Sequence, residues 1–376
     1  MARLAGSILQ IHHRSGLQPI VATAPALAAL TTALGRLARI GLDTEFLRER
    51  TYRAQLCLVQ VATADEAVCV DPLLLPDLAP LARVLGQESV LKVMHASRQD
   101  LEVLLPVAGL TRPVFDTQIA ASLTGLPAQV GYAEAVSRLL GQRLDKSHTR
   151  TDWSRRPLSA EQIEYALDDV RYLLPLAARL QEELARLGRL EWLAEEFATL
   201  ADERTLTVAP EDAWLRLKGL RPLDPARERL ARALGAWRER AALEHNRPRG
   251  WILEDALLRE IVMQVPRTLT ALAAIPEMPP GLVKRRGAEL LECVERAQVP
   301  QPPPALPGRP RPDPVKAALV RKLSSISQAV ARELNLVPEV LATRRDLEQF
   351  ADGRHDGALL RGWRKAVLGE QLLEAL

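Results

Sequence analysis

The chain has 376 residues, too many for one ordinary domain of ~150 residues, and its 47% hydrophobic and 26% charged content is that of a globular protein with sizeable cores. No apolar stretch approaches the ~20 residues of a membrane span. Residues 1 to 19 hold Arg3, His12, His13 and Arg14 but no secretory core, and Cys57, Cys69 and Cys293 are odd in number and lack C-x-x-C spacing, which argues against a disulfide framework or zinc site and for a reduced cytoplasm. The net charge of +3 is unevenly spread: residues 1 to 205 hold 22 Lys and Arg against 25 Asp and Glu, and residues 206 to 376 hold 28 against 22. The basic half suits a polyanion.

Residues 1 to 18 read as a leader, in which the His12-His13 pair carries no metal signal. Ile20-Val21-Ala22 is a first strand, and Thr23 caps a helix predicted from Pro25 to Arg39. A strand through Asp43 and Glu45 follows, then apolar strands at Leu56 to Ala62 and Ala67 to Val70, close enough together for hairpin-linked antiparallel pairing. From Leu78 the pattern alternates: helix to Leu85, strand Val90 to Met94, helix Ser97 to Val107. Strand alternating with helix implies crossovers and some parallel pairing. Helices are expected at Asp116 to Leu123, Tyr132 to Leu140 and Ser159 to Leu187. Residues 19 to 205 are therefore an α/β domain, a mixed sheet with flanking helices.

From residue 206 to 297 only helical spacing occurs, as at Leu230, Leu234, Trp237 and Ala241. A linker spans residues 298 to 314, with eight prolines in the fifteen residues from Pro300 to Pro314. Residues 315 to 376 form another small helical unit.

Three stretches carry chemistry. Asp43 and Glu45 are two apart in a strand, so their carboxylates share a face and repel unless a cation lies between them; solvated acids at a strand end are the alternative. Asp100 starts the helix after the fourth strand, near the carboxyl end of the sheet, where α/β proteins place ligands. It equally suits a helix dipole. Tyr165 and Asp169 are four apart and stack on one helix face, whereas Asp168 points elsewhere. Four converging carboxylates suit magnesium or manganese rather than zinc, and two such ions can clamp a phosphodiester.

Asp43 with Glu45, then Asp100, then Tyr165 with Asp169, resemble the DEDD exonucleases in the variant whose last motif carries tyrosine. The stretches from Asp43 to Tyr52, Leu56 to Val61, Phe115 to Gln118, Leu144 to Ser147 and Arg150 to Trp153 are similar to ribonuclease D. The resemblance spans about Ile20 to Leu180. Residues 206 to 297, with Arg247 to Leu253, resemble the HRDC nucleic-acid-binding domain, and residues 315 to 376 stand where that family carries a second, more divergent copy.

The resemblance implies a ribonuclease H-like exonuclease fold and hydrolysis from RNA 3′ ends, releasing nucleoside 5′-monophosphates from precursor tRNA and other small structured RNAs. It implies two Mg2+ ions, or Mn2+, held by Asp43, Glu45, Asp100 and Asp169, with Tyr165 orienting the attacking water. Thr44, Phe46, His95, Lys146 and Arg150 are the candidate substrate contacts; His95, Lys146 and Arg150 serve equally as loop-fixing groups and Phe46 as a core ring. A monomer with no obligate protein partner is expected. A DNA 3′-5′ exonuclease, a non-catalytic RNA-binding scaffold and a eukaryotic exosome-associated nuclease remain as alternatives. The stretch from Leu144 to Trp153 and the helical tail speak against the first, the intact five-residue set against the second, and the two trailing helical units against the third.

Overall fold

The structure, a computed structural model, describes residues 19–144, 151–200, 203–207, 209–220, 223–298 and 314–376. The leader (1 to 18), most of the proline-rich linker, and Lys146 and Arg150 lie outside them.

Among the described residues, six strands form one mixed sheet: β1 (Ile20–Val21), β2 (Arg39–Leu47), β3 (Gln55–Ala62), β4 (Ala67–Val70), β5 (Leu91–Met94) and β6 (Val114–Asp116), in the order β1-β4-β3-β2-β5-β6. β3 and β4 pair antiparallel, whereas β1 with β4, β2 with β5 and β5 with β6 pair parallel. The register sets Ile40 opposite Lys92 and Gly41 opposite Val93. β3 is buried from Leu56 to Ala62, as expected of a strand covered on both faces. β6 is the strand that periodicity misses: three residues are too few for an alternation to show, and Asp116 at its end also caps the next helix.

The helices described between residues 19 and 200 are α1 (Ala24–Leu34), α2 (Ala79–Leu85), α3 (Arg98–Ala108), α4 (Thr117–Leu123), α5 (Tyr132–Leu140), α6 (Ala160–Arg171), α7 (Leu173–Arg186) and α8 (Leu190–Leu200). α1 ends at Leu34, five residues before the expected Arg39, which instead opens β2. The single helix expected from Ser159 to Leu187 is two. A Ser159 and Gln162 capping box starts α6, and Tyr172, with φ −104° and ψ 4°, separates it from α7. The apolar spacing runs on through Val170, Leu173, Leu176, Ala177 and Leu180, all buried, so the break leaves the period intact.

The chain divides into two compact units. Among the described residues, those of 19–47, 56–206 and 314–376 form one, and those of 48–55 and 207–298 form the other. In the first, the last helices share the apolar core of the sheet: Leu323, Val330, Leu341, Phe350 and Trp363 belong to one buried cluster with Phe115, Leu167, Leu176 and Leu193. Trp363 stacks on Trp192 with ring centroids 4.2 Å apart and planes 5° from parallel, and its Nε1–H donates to Glu196 Oε1 at 3.0 Å. The buried Arg189 donates to the Leu123 and Leu334 carbonyls at 2.8 and 2.5 Å.

In the second unit the regular elements among the described residues from 209 to 298 are all helices. Leu230, Leu234, Leu258, Ile261 and Leu290 fill its core with Trp214. Glu239, 1% exposed, accepts both Nε and Nη2 of Arg249 at 2.5 and 2.6 Å and the hydroxyl of Tyr52. Residues 48–55 are thereby held within this unit.

Replacing Trp363 by alanine removes a stacked ring and its hydrogen bond from the first unit's core. Expected is a loss of about 3–5 kcal/mol, read as a lower urea midpoint for the transition reporting the sheet. An unchanged midpoint would show that the C-terminal helices contribute nothing to that core.

Candidate active site

Alternation along β2 sorts its side chains: Ile40, Leu42 and Thr44 are buried, and Gly41, Asp43 and Glu45 share the opposite face. Gly41 sets how closely the helices approach that face. A Cβ there would lie 3.2 Å from the Ala62 Cβ, 3.3 Å from the Val170 carbonyl oxygen and 3.4 Å from the Leu173 Cβ. The missing methyl therefore admits the junction of α6 and α7, and Asp169 is the residue before Val170.

Asp100 lies in the first turn of α3 and is buried. The Thr44 hydroxyl donates to its Oδ1 at 2.5 Å. The turn into α3 is held by Asp116, which accepts from the amides of Ala96, Ser97, Gln118 and Ile119 at 3.2, 2.8, 2.8 and 3.3 Å and from the Ser97 hydroxyl at 2.8 Å. These bonds keep Ala96 at φ 54°, a left-handed conformation that costs a residue with a Cβ roughly 1–2 kcal/mol.

On α6 Tyr165 precedes Asp169 by one turn, and beyond the effect of burial the two side chains interact electrostatically, the carboxylate raising the phenol's pKa and the phenol lowering the carboxylate's. Burial raises the phenol's pKa further above its ordinary value, so Tyr165 keeps its proton. Asp168 turns away and pairs with Arg171, which also holds Glu164 at 2.7 Å.

The electrostatics join these pieces. Burial, then the charges of Asp100, Asp169 and Glu45, push Asp43 well above the usual carboxylate range. Burial with Asp169 and Asp100 pushes Glu45 up to about 8. Asp100 rises to about 6 by burial, opposed by the Thr44 hydroxyl, and Asp169 to about 7 by burial, opposed by the Tyr165 hydroxyl. Four acids from β2, α3 and α6 thus share one electrostatic neighbourhood. Their all-oxygen chemistry fits a hard divalent cation, which would relieve the repulsion. Among the described residues, no three His, Cys, Asp or Glu side chains form a preformed metal cage.

The remaining predicted contacts divide. The hydroxyl of Thr44, 5% exposed, is committed to Asp100, which makes it a brace for that acid. His95 has both ring nitrogens engaged inside the protein, Nδ1 with the Thr117 hydroxyl at 2.8 Å and Nε2 with the Val130 carbonyl at 2.9 Å, the loop-fixing arrangement. Phe46 is half-buried at the end of β2. Sequence reasoning passed over Tyr132, whose buried hydroxyl accepts from the Tyr172 amide at 3.0 Å and so pins the α6–α7 junction three residues after Asp169. Nothing in its local spacing signals that partner, 40 residues away.

A mixed sheet with acids on β2, α3 and α6 defines the class: a family model described as 3′-5′ exonuclease matches residues 19–185, and an HRDC domain model matches residues 227–294. The chain is 41% identical to a ribonuclease D of Gluconacetobacter diazotrophicus over 366 residues, covering 94% of this chain and 91% of that one. It is also 41% identical to a ribonuclease D of Jannaschia sp., over 95% and 94% of the two chains. The crystal structure of Escherichia coli RNase D, described as an exoribonuclease involved in structured RNA processing, superposes with a TM-score of 0.85 at 34% identity, covering 95% of this chain and 98% of that one. This chain belongs to the ribonuclease D family.

Two predictions follow from the acids. A carboxylate whose folded pKa is raised stabilises the fold below its unfolded pKa of about 4, and that contribution is lost as pH rises through the folded value. With Glu45 near 8, Asp100 near 6 and Asp169 near 7, the chelated protein should lose stability as pH rises from 5 to 8. The Tm gained on adding MgCl2 should grow over the same window, because ligands must be deprotonated. Thermal melts with EDTA or MgCl2 test this; an equal gain at pH 5 and pH 8 would disprove it. Thr44→Val, which deletes the donor to Asp100, should slow hydrolysis by roughly tenfold, the scale of a misoriented site group. Wild-type single-turnover rates would exclude that brace.

Proposed function

We propose that the protein trims the 3′ ends of precursor tRNA and other small structured RNAs, releasing nucleoside 5′-monophosphates. The observation that carries this reading is the set of four mutually repelling acids, with Tyr165 one helical turn from Asp169. In this reading Asp43, Glu45, Asp100 and Asp169 hold two divalent ions, Mg2+ or alternatively Mn2+. Bound there, the ions supply Lewis acidity toward the scissile phosphodiester and the attacking water.

The chain's own groups do the positioning. Tyr165 retains its proton, so it orients the water through a hydrogen bond rather than serving as the base. Thr44 keeps the Asp100 carboxylate aimed. Phe46, beside the carboxylate strand, stacks or wedges against the terminal bases. Lys146 and Arg150 contact sugar or phosphate.

In the same reading the sheet is ribonuclease H-like, residues 19 to 205 are the exonuclease domain, 206 to 297 the first HRDC domain and 315 to 376 a divergent second. A leader (1 to 18) and a linker (298 to 314) complete the chain. Residues 206 to 311 hold 18 basic against 13 acidic side chains, which suits them to the body of a structured RNA. We place the protein in the cytoplasm as a monomer; among the described residues no helix is long and apolar enough to cross a membrane.

The test is a time course on a 5′-labelled tRNA carrying a short 3′ trailer, beside a matched single-stranded DNA, with magnesium or chelator. A ladder shortening from the 3′ end only on RNA and only with metal is expected. DNA cut equally well would favour a proofreading-type exonuclease, and tight RNA binding without cleavage would favour a scaffold. Asp43→Asn should abolish turnover with the fold intact, and Tyr165→Phe should slow the chemical step more than it weakens RNA binding. Single-turnover rates at wild-type level in either variant would remove that residue from the site.

A further inference from the structure

Arg156 lies outside the five-residue set, yet every donor it has is used. A guanidinium carries five N–H groups in a rigid fork. Here Nε donates to Asp71 Oδ2 at 2.5 Å, and Nη2 donates to Asp71 Oδ1 at 2.8 Å and to the Cys57 carbonyl at 2.7 Å. Nη1 donates to the Trp153 and Arg155 carbonyls at 2.7 and 2.8 Å. The side chain thus fastens the segment before α6 to two strands, β3 through Cys57 and the end of β4 through Asp71.

Its anchor is itself tied down. The Asp71 side chain is 1% exposed. Its amide donates to the Val21 carbonyl at 2.9 Å, and its Oδ1 also accepts from the Leu73 amide at 3.0 Å. A shielded, bidentate pair of this kind fixes geometry in a way that a solvated one does not.

What the pair holds is Trp153. That ring is 4% exposed, and its centroid lies 6.1 Å from the Tyr165 ring with the planes 32° apart. Tyr165 is therefore set from two directions: by the Trp153 wall, and by the start of α6, whose capping residue Ser159 is three residues after Arg156.

We propose that Arg156 and Asp71 are a positioning pair for hydrolysis, holding Trp153 as the wall that keeps the Tyr165 phenol aimed at its water and at Asp169. The pair acts through Tyr165, and Arg156, its donors all spent, leaves substrate to other groups. The proposal rests on the reading of Tyr165 as the residue that orients the water.

The experiment is a double-mutant cycle with single-turnover rates on saturating 5′-labelled RNA and Mg2+, RNA affinity being measured in parallel. Arg156→Lys keeps the charge but loses the fork. It should slow the chemical step on the order of tenfold or more, the scale of a displaced catalytic group, with RNA affinity unchanged. In a Tyr165→Phe background the same change should slow it no further, the non-additivity of residues acting through one group. Trp153→Leu, which leaves the ion pair intact, should show the same coupling, and it decides the matter if Arg156→Lys does not fold. Equal losses in both backgrounds, or an Arg156→Lys enzyme at wild-type rate, would overturn the proposal. A Tyr165→Phe enzyme at wild-type rate would overturn it through the reading beneath it, and the two failures are distinguished by which single variant keeps its rate.

Discussion

The constraint on which this structure depends is the repulsion among four carboxylates gathered in a poorly solvated place. Burial alone would neutralise an isolated acid. Here each acid also feels others, and Glu45 is lifted to about 8. Such an arrangement costs the fold stability, and in the reading proposed above a hard cation repays that cost. Chemistry and stability then pull in opposite directions at the same atoms.

Holding the acids together against that repulsion needs rigid supports on each contributing element, and each support is a different device. On β2 it is an absence: Gly41 lacks the atom that would keep the α6–α7 junction away. At α3 it is Asp116, whose accepted hydrogen bonds tie the left-handed Ala96 turn to β6 and α4. On α6 it is the buried Tyr132 hydroxyl below Asp169 and the capping box above Tyr165. Strain and desolvation concentrate at the acids because the surrounding backbone is over-determined.

Much of this was legible in the sequence because it is local. The two-residue spacing of Asp43 and Glu45 and the four-residue spacing of Tyr165 and Asp169 each fix a shared face, whatever the tertiary context. What stayed hidden is what spacing does not encode. The Thr44 hydroxyl meets Asp100 across 56 residues. His95 suited a substrate contact by its position after β5, and nothing local reveals that Thr117 and Val130 occupy both nitrogens. The break between α6 and α7 was invisible because the buried positions keep helical period through it.

The proline-rich run is the sharpest case of sequence organisation differing from folding organisation. Composition separates the last helices from everything before them, yet Pro314–Leu376 joins the compact unit that contains the sheet, while the described residues from 207 to 298, with 48–55, form the other unit. The reason lies in the apolar faces. Trp363, Phe350 and Leu323 continue a core that already contains Leu193 and Leu176, and Trp192 meets a stacked partner only when the chain returns. Arg189 makes the same point with polar groups: burying its guanidinium is tolerable because one N–H finds the Leu123 carbonyl and another finds that of Leu334, 145 residues later. A linker is therefore a statement about the chain between two cores only if the segments on either side bury their apolar faces independently, and here the C-terminal segment does not. The helices after Pro314 belong to the support of the exonuclease sheet, and through α8 and β6 to the scaffold that carries the four acids.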